Sequence, residues 1–174
     1  MLFRSINSFY FPAIITRGNN VYGPRQYPEK LIPKFILRLN DNKPCCIHGS
    51  GTNRRHFIHV DDVVRAFDLI VHRGVIGETY NIGSQYEFEN IEVAKTLIAY
   101  IKMGDNDKWI TWVKDRPFND VRYFLSYDKL LKLGWSPKIE FMDGLKRTIE
   151  WYSRVRPSEY WSHKVATALE AHPL

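Results

Sequence analysis

Phe11-Pro12-Ala13-Ile14-Ile15-Thr16-Arg17-Gly18-Asn19-Asn20-Val21-Tyr22-Gly23-Pro24 is the stretch on which the fold turns. Its first five residues form a Pro-led apolar run, stopped by polar Thr16 to Asn20. A run this short and this apolar predicts a strand buried on both faces, as in parallel sheets. Residues 1–10 predict the last turns of a helix feeding that strand, with nothing capping that helix at its start. Downstream, Leu31, Ile32, Phe35, Ile36 and Leu39 form a helical stripe, and Pro33 places the helix start at Lys30 to Ile32. Cys45 to His48 and Phe57 to Val60 predict two short strands around the Gly49-Ser50-Gly51-Thr52 turn.

Further along, Asp61 predicts the cap of a helix carrying Val64, Phe67, Leu69 and Val71, and Glu78 to Ile82 predicts a strand. Asn90 caps a helix striped by Ala94, Leu97, Ile98 and Ile101, and Trp109 to Val113 reads as a strand. A short helix opens at Ser126 and stops at Leu133-Gly134; Leu145, Ile149 and Tyr152 stripe the last helix. Strands alternating with helices predict an α/β or α+β fold. The tail from Pro157 has Trp161 and little else to order it.

The chain has 174 residues, 44% of them hydrophobic and 25% charged, which fits one domain or part of a larger one and excludes a disordered or fibrous protein. A net charge of +6 favours phosphate-bearing partners. The cations are spread along the chain, so a nucleic-acid face is not expected. Adjacent Cys45 and Cys46 cannot build a disulfide framework, no apolar run approaches the ~20 residues of a bilayer span, and the opening lacks a signal-peptide core. The expectation is a cytoplasmic chain with no membrane partner.

Familiar chemistries fare poorly. His56 and His59 are three apart on a predicted strand and so face opposite ways, Cys45 and Cys46 likewise, and no metal site is expected. Gly49-Ser50-Gly51 lacks nucleophile-elbow spacing and reads as a tight hairpin turn. There is no GxGxxG or P-loop to cradle phosphate. Tyr160 and Lys164 have the Tyr-x-x-x-Lys spacing of short-chain dehydrogenases, but ten tyrosines and twelve lysines give roughly 0.7 such pairs by chance, and the pair follows every strand. What stands out is polar residues at strand ends: Asn20, Arg55, Asn81 and Arg116. Ligands collect beyond strand ends in open α/β sheets, and Arg forks suit phosphate oxygens. Turn caps meeting solvent would use the same residues, and spacing does not separate the two readings.

From about Pro12 to Tyr152 the sequence resembles the C-terminal half of the dTDP-glucose 4,6-dehydratases, extended short-chain dehydrogenases with a Rossmann-type α/β fold. The resemblance is carried by Ile15 to Phe35, by Ile47-His48-Gly49-Ser50-Gly51 leading to Arg55, by Tyr80-Asn81-Ile82-Gly83, by Asp115 to Tyr123, and by Leu133-Gly134-Trp135. It implies that Asn20 meets the sugar-side phosphate, that Gly18 and Asn19 offer backbone near the nicotinamide of NAD, and that Lys30 and Leu31 line the nucleotide site. It places His48 beside the base, where many relatives carry Tyr, and leaves dTDP and UDP both open. Arg55 and Arg116 would grip the diphosphate, Asn81 would approach the nucleotide, and Asn119 would complete that wall.

The resemblance also implies an organisation. Residues 1–24 correspond to a truncated Rossmann domain, 25–156 mainly to the substrate-binding region, and 157–174 to a poorly specified tail. In this family the NAD loop, the catalytic Tyr and Lys, and the Thr-Asp-Glu group that removes water lie upstream of the first strand here. The expectation is therefore a nucleotide-sugar-binding half, without catalytic residues or turnover of its own and without stably bound NAD, whose partners are a dTDP- or UDP-hexose and the missing N-terminal half. A non-catalytic binding or interaction module is the alternative, and a fragment of a related UDP-sugar dehydratase, epimerase or decarboxylase a second one.

Overall fold

The computed structural model describes residues 8–104, 107–115, 117, 120–155, 157–161 and 165–170. Its elements, in order, are β1 (Ile15–Gly18), β2 (Asn20–Tyr22), α1 (Leu31–Asn40), β3 (Cys45–His48), β4 (Arg54–His59), α2 (Val60–Arg73), β5 (Thr79–Ile82) and β6 (Glu87–Glu89). These are followed by α3 (Asn90–Lys102), β7 (Ile110–Val113), β8 (Arg122–Tyr123), α4 (Asp128–Lys132), α5 (Phe141–Arg154), α6 (Pro157–Tyr160) and α7 (Val165–Ala168). Parallel ladders join β1 to β5, β2 to β4 and β3 to β7; β4 also pairs with antiparallel β6 and parallel β8. The architecture is α/β, one of the two that the alternation predicts and the one the resemblance implies. No helix among the described residues is long and apolar enough to cross a membrane.

The chain leaves β1 through one residue, Asn19, and enters β2 in a different ladder, so the quoted stretch feeds two sheets. That divides the interior into two cores. The larger joins α1, α3 and α5 through Phe35, Ile36, Leu39, Leu97, Ile98 and Leu145. The smaller joins β4, α2, β5 and α4 through Ile58, Ala66, Ile70, Ile82, Leu130 and Trp135. The α1, α3 and α5 stripes lie where helical spacing put them, because each faces a single core.

Four expectations need correction. The first strand lies at Ile15–Gly18 rather than Phe11 to Ile15, and it is half-buried to exposed rather than buried on both faces. β5 is its one ladder neighbour among the described residues, so the burial inferred from its apolar lead has no partner here. On α2 the inward face is Val63, Ala66 and Ile70, whereas Val64, Phe67 and Val71 point outward. A helix with apolar residues on both flanks does not reveal its core side by periodicity. The glycine turn after β3 is not a hairpin: it passes the chain from the β3–β7 ladder to the β2–β4 ladder, with Gly49 and Gly51 at φ +57° and +72°. Finally, the helix caps sit earlier than read. His59, not Asp61, caps α2, and Glu89, not Asn90, caps α3 in a reciprocal capping box with Glu92.

Asp62 shows why a carboxylate can be wholly buried. It accepts from the Lys138 and Ile139 amides, both at 3.1 Å, and pairs with Arg65. His59 is the less comfortable group. Its Nδ1 accepts from the Asp61 amide at 3.2 Å, which leaves the proton on Nε2, buried without a partner. Burial holds its pKa below the usual histidine value, outweighing Asp61. The unfolded chain therefore binds this proton more readily than the folded one, and stability falls as pH drops below about 6.5. Urea melts at pH 7, 6 and 5 are expected to show that loss, and His59→Asn, which keeps a capping side chain, to flatten it; parallel slopes for the two proteins would contradict it.

Candidate functional site

One cavity, of ≈550 Å³, is framed by the start of β2, the amino end of α1, the carboxyl end of β3, the start of β4 and the first residue of α3. β2 and β4 are parallel, with Asn20 opposite Phe57, so Arg55 lies two positions before Asn20's partner at the amino end of β4. As the sequence predicts, Asn20 follows the first strand and Arg55 lies at the start of β4. Lys30 is the N-cap of α1 and Leu31 its first residue, and His48 closes β3. Five residues scattered over 36 positions, Asn20, Lys30, Leu31, His48 and Arg55, thus line the same space, and Asn19 borders it.

Cations dominate the walls. Lys30, Lys34 and Arg55 line the cavity against one carboxylate, Glu29, which lies 3.7 Å from the Lys30 ammonium. Arg55 is braced by a 2.8 Å bond from its guanidinium to the Arg54 carbonyl. His48 Nδ1 lies 3.2 Å from the Lys114 carbonyl; a carbonyl only accepts, so Nδ1 carries the proton and Nε2 is left as an acceptor. Cations, amides and an imidazole acceptor together suit phosphate oxygens and the edge of a base.

Two of the predicted residues lie outside the described residues, Arg116 and Asn119. Asn81 is not in the cavity wall: it sits on β5 opposite Arg17 and donates to the Ser126 carbonyl at 2.9 Å. Gly18 ends β1 beside the cavity without lining it. Sequence reading missed Asn90, which lines the cavity from the first residue of α3; treated as a cap, it left no side chain to spare for a ligand. Tyr22, Gln26, Lys34 and Cys46 also went unread. Alternation along β3 would have flagged Cys46, since Cys45 faces the core, where burial pushes its thiol up to about 12. Lys164 of the Tyr-x-x-x-Lys pair lies outside the described residues, and Tyr160 packs edge-on to Trp151.

Asn19 is 6% exposed, and both atoms of its amide are buried without a partner. Its Oδ1 lies close enough to Gly83 that a Cβ there would come within 2.7 Å. Leaving such a group unsatisfied costs about 1–3 kcal/mol, and an amide offers both a donor and an acceptor to whatever meets it at the junction of β1 and β5.

The profile of the NAD dependent epimerase/dehydratase family matches residues 1–83. The chain is 46% identical over 170 residues to the dTDP-D-glucose 4,6-dehydratase of Homo sapiens, an alignment spanning 95% of this chain and 48% of that protein. It is also 46% identical over 166 residues to a trifunctional UDP-glucose 4,6-dehydratase, epimerase and reductase of Arabidopsis thaliana, covering 95% of this chain and 24% of that one. A crystal structure of a dTDP-glucose 4,6-dehydratase from Streptomyces venezuelae with NAD and TYD bound superposes with a TM-score of 0.85 at 35% identity, over 92% of this chain and 49% of that one. The chain spans about half the length, or less, of each relative. Sequence and fold together make the chain similar to one half of a dTDP-glucose 4,6-dehydratase, with residues 1–83 matching the NAD dependent epimerase/dehydratase family.

Proposed function

We propose that this chain is the nucleotide-sugar-binding half of a dTDP-glucose 4,6-dehydratase-like protein, whose whole reaction converts dTDP-glucose to dTDP-4-keto-6-deoxyglucose and water. The observation that carries the reading is the shared cavity: residues the resemblance assigns to the nucleotide, far apart in sequence, line one cationic space. Arg55 holds the diphosphate with Asn90 beside it, Lys30, Leu31 and His48 face the base, and Asn20 meets the sugar-side phosphate.

NAD supplies the hydride acceptor in the parent family. Asn19, with the Gly18 backbone next to it, fits the carboxamide end of that cofactor. The sequence contains no glycine-rich turn for its pyrophosphate, so this chain's own contribution is to bind and orient the sugar nucleotide. A partner polypeptide is supported by the side of β1 that has no ladder neighbour among the described residues and by exposed apolar side chains at Phe9, Phe11, Val64, Phe67 and Val71. A four-residue parallel pair is short of what a stable sheet needs, and further strands from the N-terminal half would complete it. The compartment is cytoplasmic, in keeping with two unpaired cysteines.

Calorimetry on the purified chain is expected to register dTDP or UDP binding, while mass spectrometry finds no 4-keto-6-deoxy product from dTDP-glucose and NAD. Absence of nucleotide binding would remove the reading; product formation would show that the chemistry resides in this half. Binding without turnover even after the N-terminal half is supplied would favour a non-catalytic binding module.

A further inference from the structure

We propose that the C-terminal segment, through Trp161 and residues 165–170, is a strap that sets the position of Lys34 at the cavity; the identity of the ligand rests on the reading above. α1 presents one face to the main core and its first turns to the cavity, and the strap lies along its remaining side. Lys34 is the side chain common to both: it lines the cavity, and its ammonium donates to the Glu170 carbonyl at 2.7 Å. One turn later, Arg38 donates to the Leu169 carbonyl at 2.9 Å and, through Nε, to the Pro44 carbonyl at 2.6 Å.

The strap is anchored by aromatic packing. Trp161 stacks on Tyr152 with ring centres 6.0 Å apart and planes 13° apart, and meets Trp151 at 5.8 Å and Tyr27 at 6.5 Å. Val165 is 9% exposed, and Leu169 packs against the main core. The anchor reaches the cavity wall by a second route. The Tyr152 hydroxyl donates to the Gln26 carbonyl, and the Gln26 amide donates to the Val21 carbonyl at 2.6 Å, both Gln26 and Val21 lining the cavity.

The chemistry of the Lys34 bond matters. A backbone carbonyl fixed by the strap's packing gives the ammonium a defined direction toward Glu170. A lysine side chain otherwise has rotamer entropy to lose on meeting an anion, and the strap removes part of that loss beforehand. Trp161 and the Leu169–Glu170 carbonyls are accordingly positioning groups, acting through Lys34.

The test is a double-mutant cycle on the full chain, with dTDP and UDP as probes in calorimetry. Trp161→Ala is expected to weaken binding about tenfold when Lys34 is present and less than about twofold in a Lys34→Met background, with Trp161→Phe restoring most of the loss. Equal losses in both backgrounds would reduce Trp161 to general stability and overturn the strap. A readout without nucleotide separates this from the pocket itself: Lys34 acetylation by acetic anhydride, followed by peptide mass spectrometry, is expected to accelerate at least about fivefold in Trp161→Ala as the ammonium is released. Unchanged acetylation overturns the strap. Faster acetylation in a chain that binds neither nucleotide supports the strap and overturns only the nucleotide reading.

Discussion

Arg55→Ala is expected to lower the affinity for dTDP by about 100-fold, because a charged hydrogen-bonding group on a phosphate contributes about 1.5–3 kcal/mol and each 1.4 kcal/mol is tenfold. Arg55 is suited to the role by its mounting. It is the second residue of β4, flanked by β6 and β8 at that level, and its guanidinium leans on the Arg54 carbonyl. Little conformational freedom remains to be lost when it meets a ligand.

The neighbouring residue supplies the control. Arg54 pairs with Glu89 at 3.2 Å and Glu87 at 3.8 Å, and strand alternation turns it away from the cavity. Arg54→Ala removes the same formal charge a single residue away. Its surface ion pairs contribute about 0–1 kcal/mol, so a change in affinity of less than about threefold is expected. A direct contact predicts a wide gap between the two variants; a diffuse basic field predicts nearly equal losses. Titrating both with dTDP decides it, and equal losses would rule out Arg55 as a phosphate ligand.

Legibility in the sequence tracked how much each residue's environment is local. α1, α3 and α5 could be read because a single core selects one face of each. α2 could not, since Val64, Phe67 and Val71 are as apolar as the residues that face inward, and only the positions of β2, β4 and β5 settle which side is buried. β6 and β8 were invisible: Glu87, Phe88 and Glu89 carry little strand character, and they are held by β4 and by ion pairs such as Arg122 to Glu87 at 2.5 Å. The site divides the same way. Motif blocks brought Asn20, Lys30, Leu31, His48 and Arg55 to attention, whereas Asn90 needed the ladder between β4 and β6 to carry it to the cavity. The tail was unreadable for a related reason. Its ordering bonds run from Lys34 and Arg38 to backbone carbonyls, which any sequence offers.

Gly144→Ala is expected to destabilise the chain by about 2 kcal/mol even though alanine is the better helix former by about 1 kcal/mol. On α5 this residue faces Tyr22. An added Cβ would fall on the Tyr22 hydroxyl, 3.1 Å from its Cζ and 2.8 Å from His59 Cδ2. Neither ring can yield. Tyr22 is 2% exposed, boxed by Phe141 and His59 with ring centres 5.3 and 5.4 Å away, and its hydroxyl donates to the Phe141 carbonyl at 3.1 Å. Burial raises the pKa of that hydroxyl, so it remains a donor and the bond is lost only by displacement. Tyr22→Phe on its own forfeits one hydrogen bond, about 1 kcal/mol, but it empties the space the alanine methyl needs. The double variant Tyr22→Phe/Gly144→Ala is therefore expected to recover at least about half of the Gly144→Ala loss in urea melts, a coupling typical of residues in contact. Tyr22 lies two positions after Asn20 on β2, so Gly144→Ala should also weaken dTDP binding, and the second substitution should restore it. A Gly144→Ala chain more stable than the parent would mean that helix propensity outweighs this contact and that α5 does not press on the cavity wall.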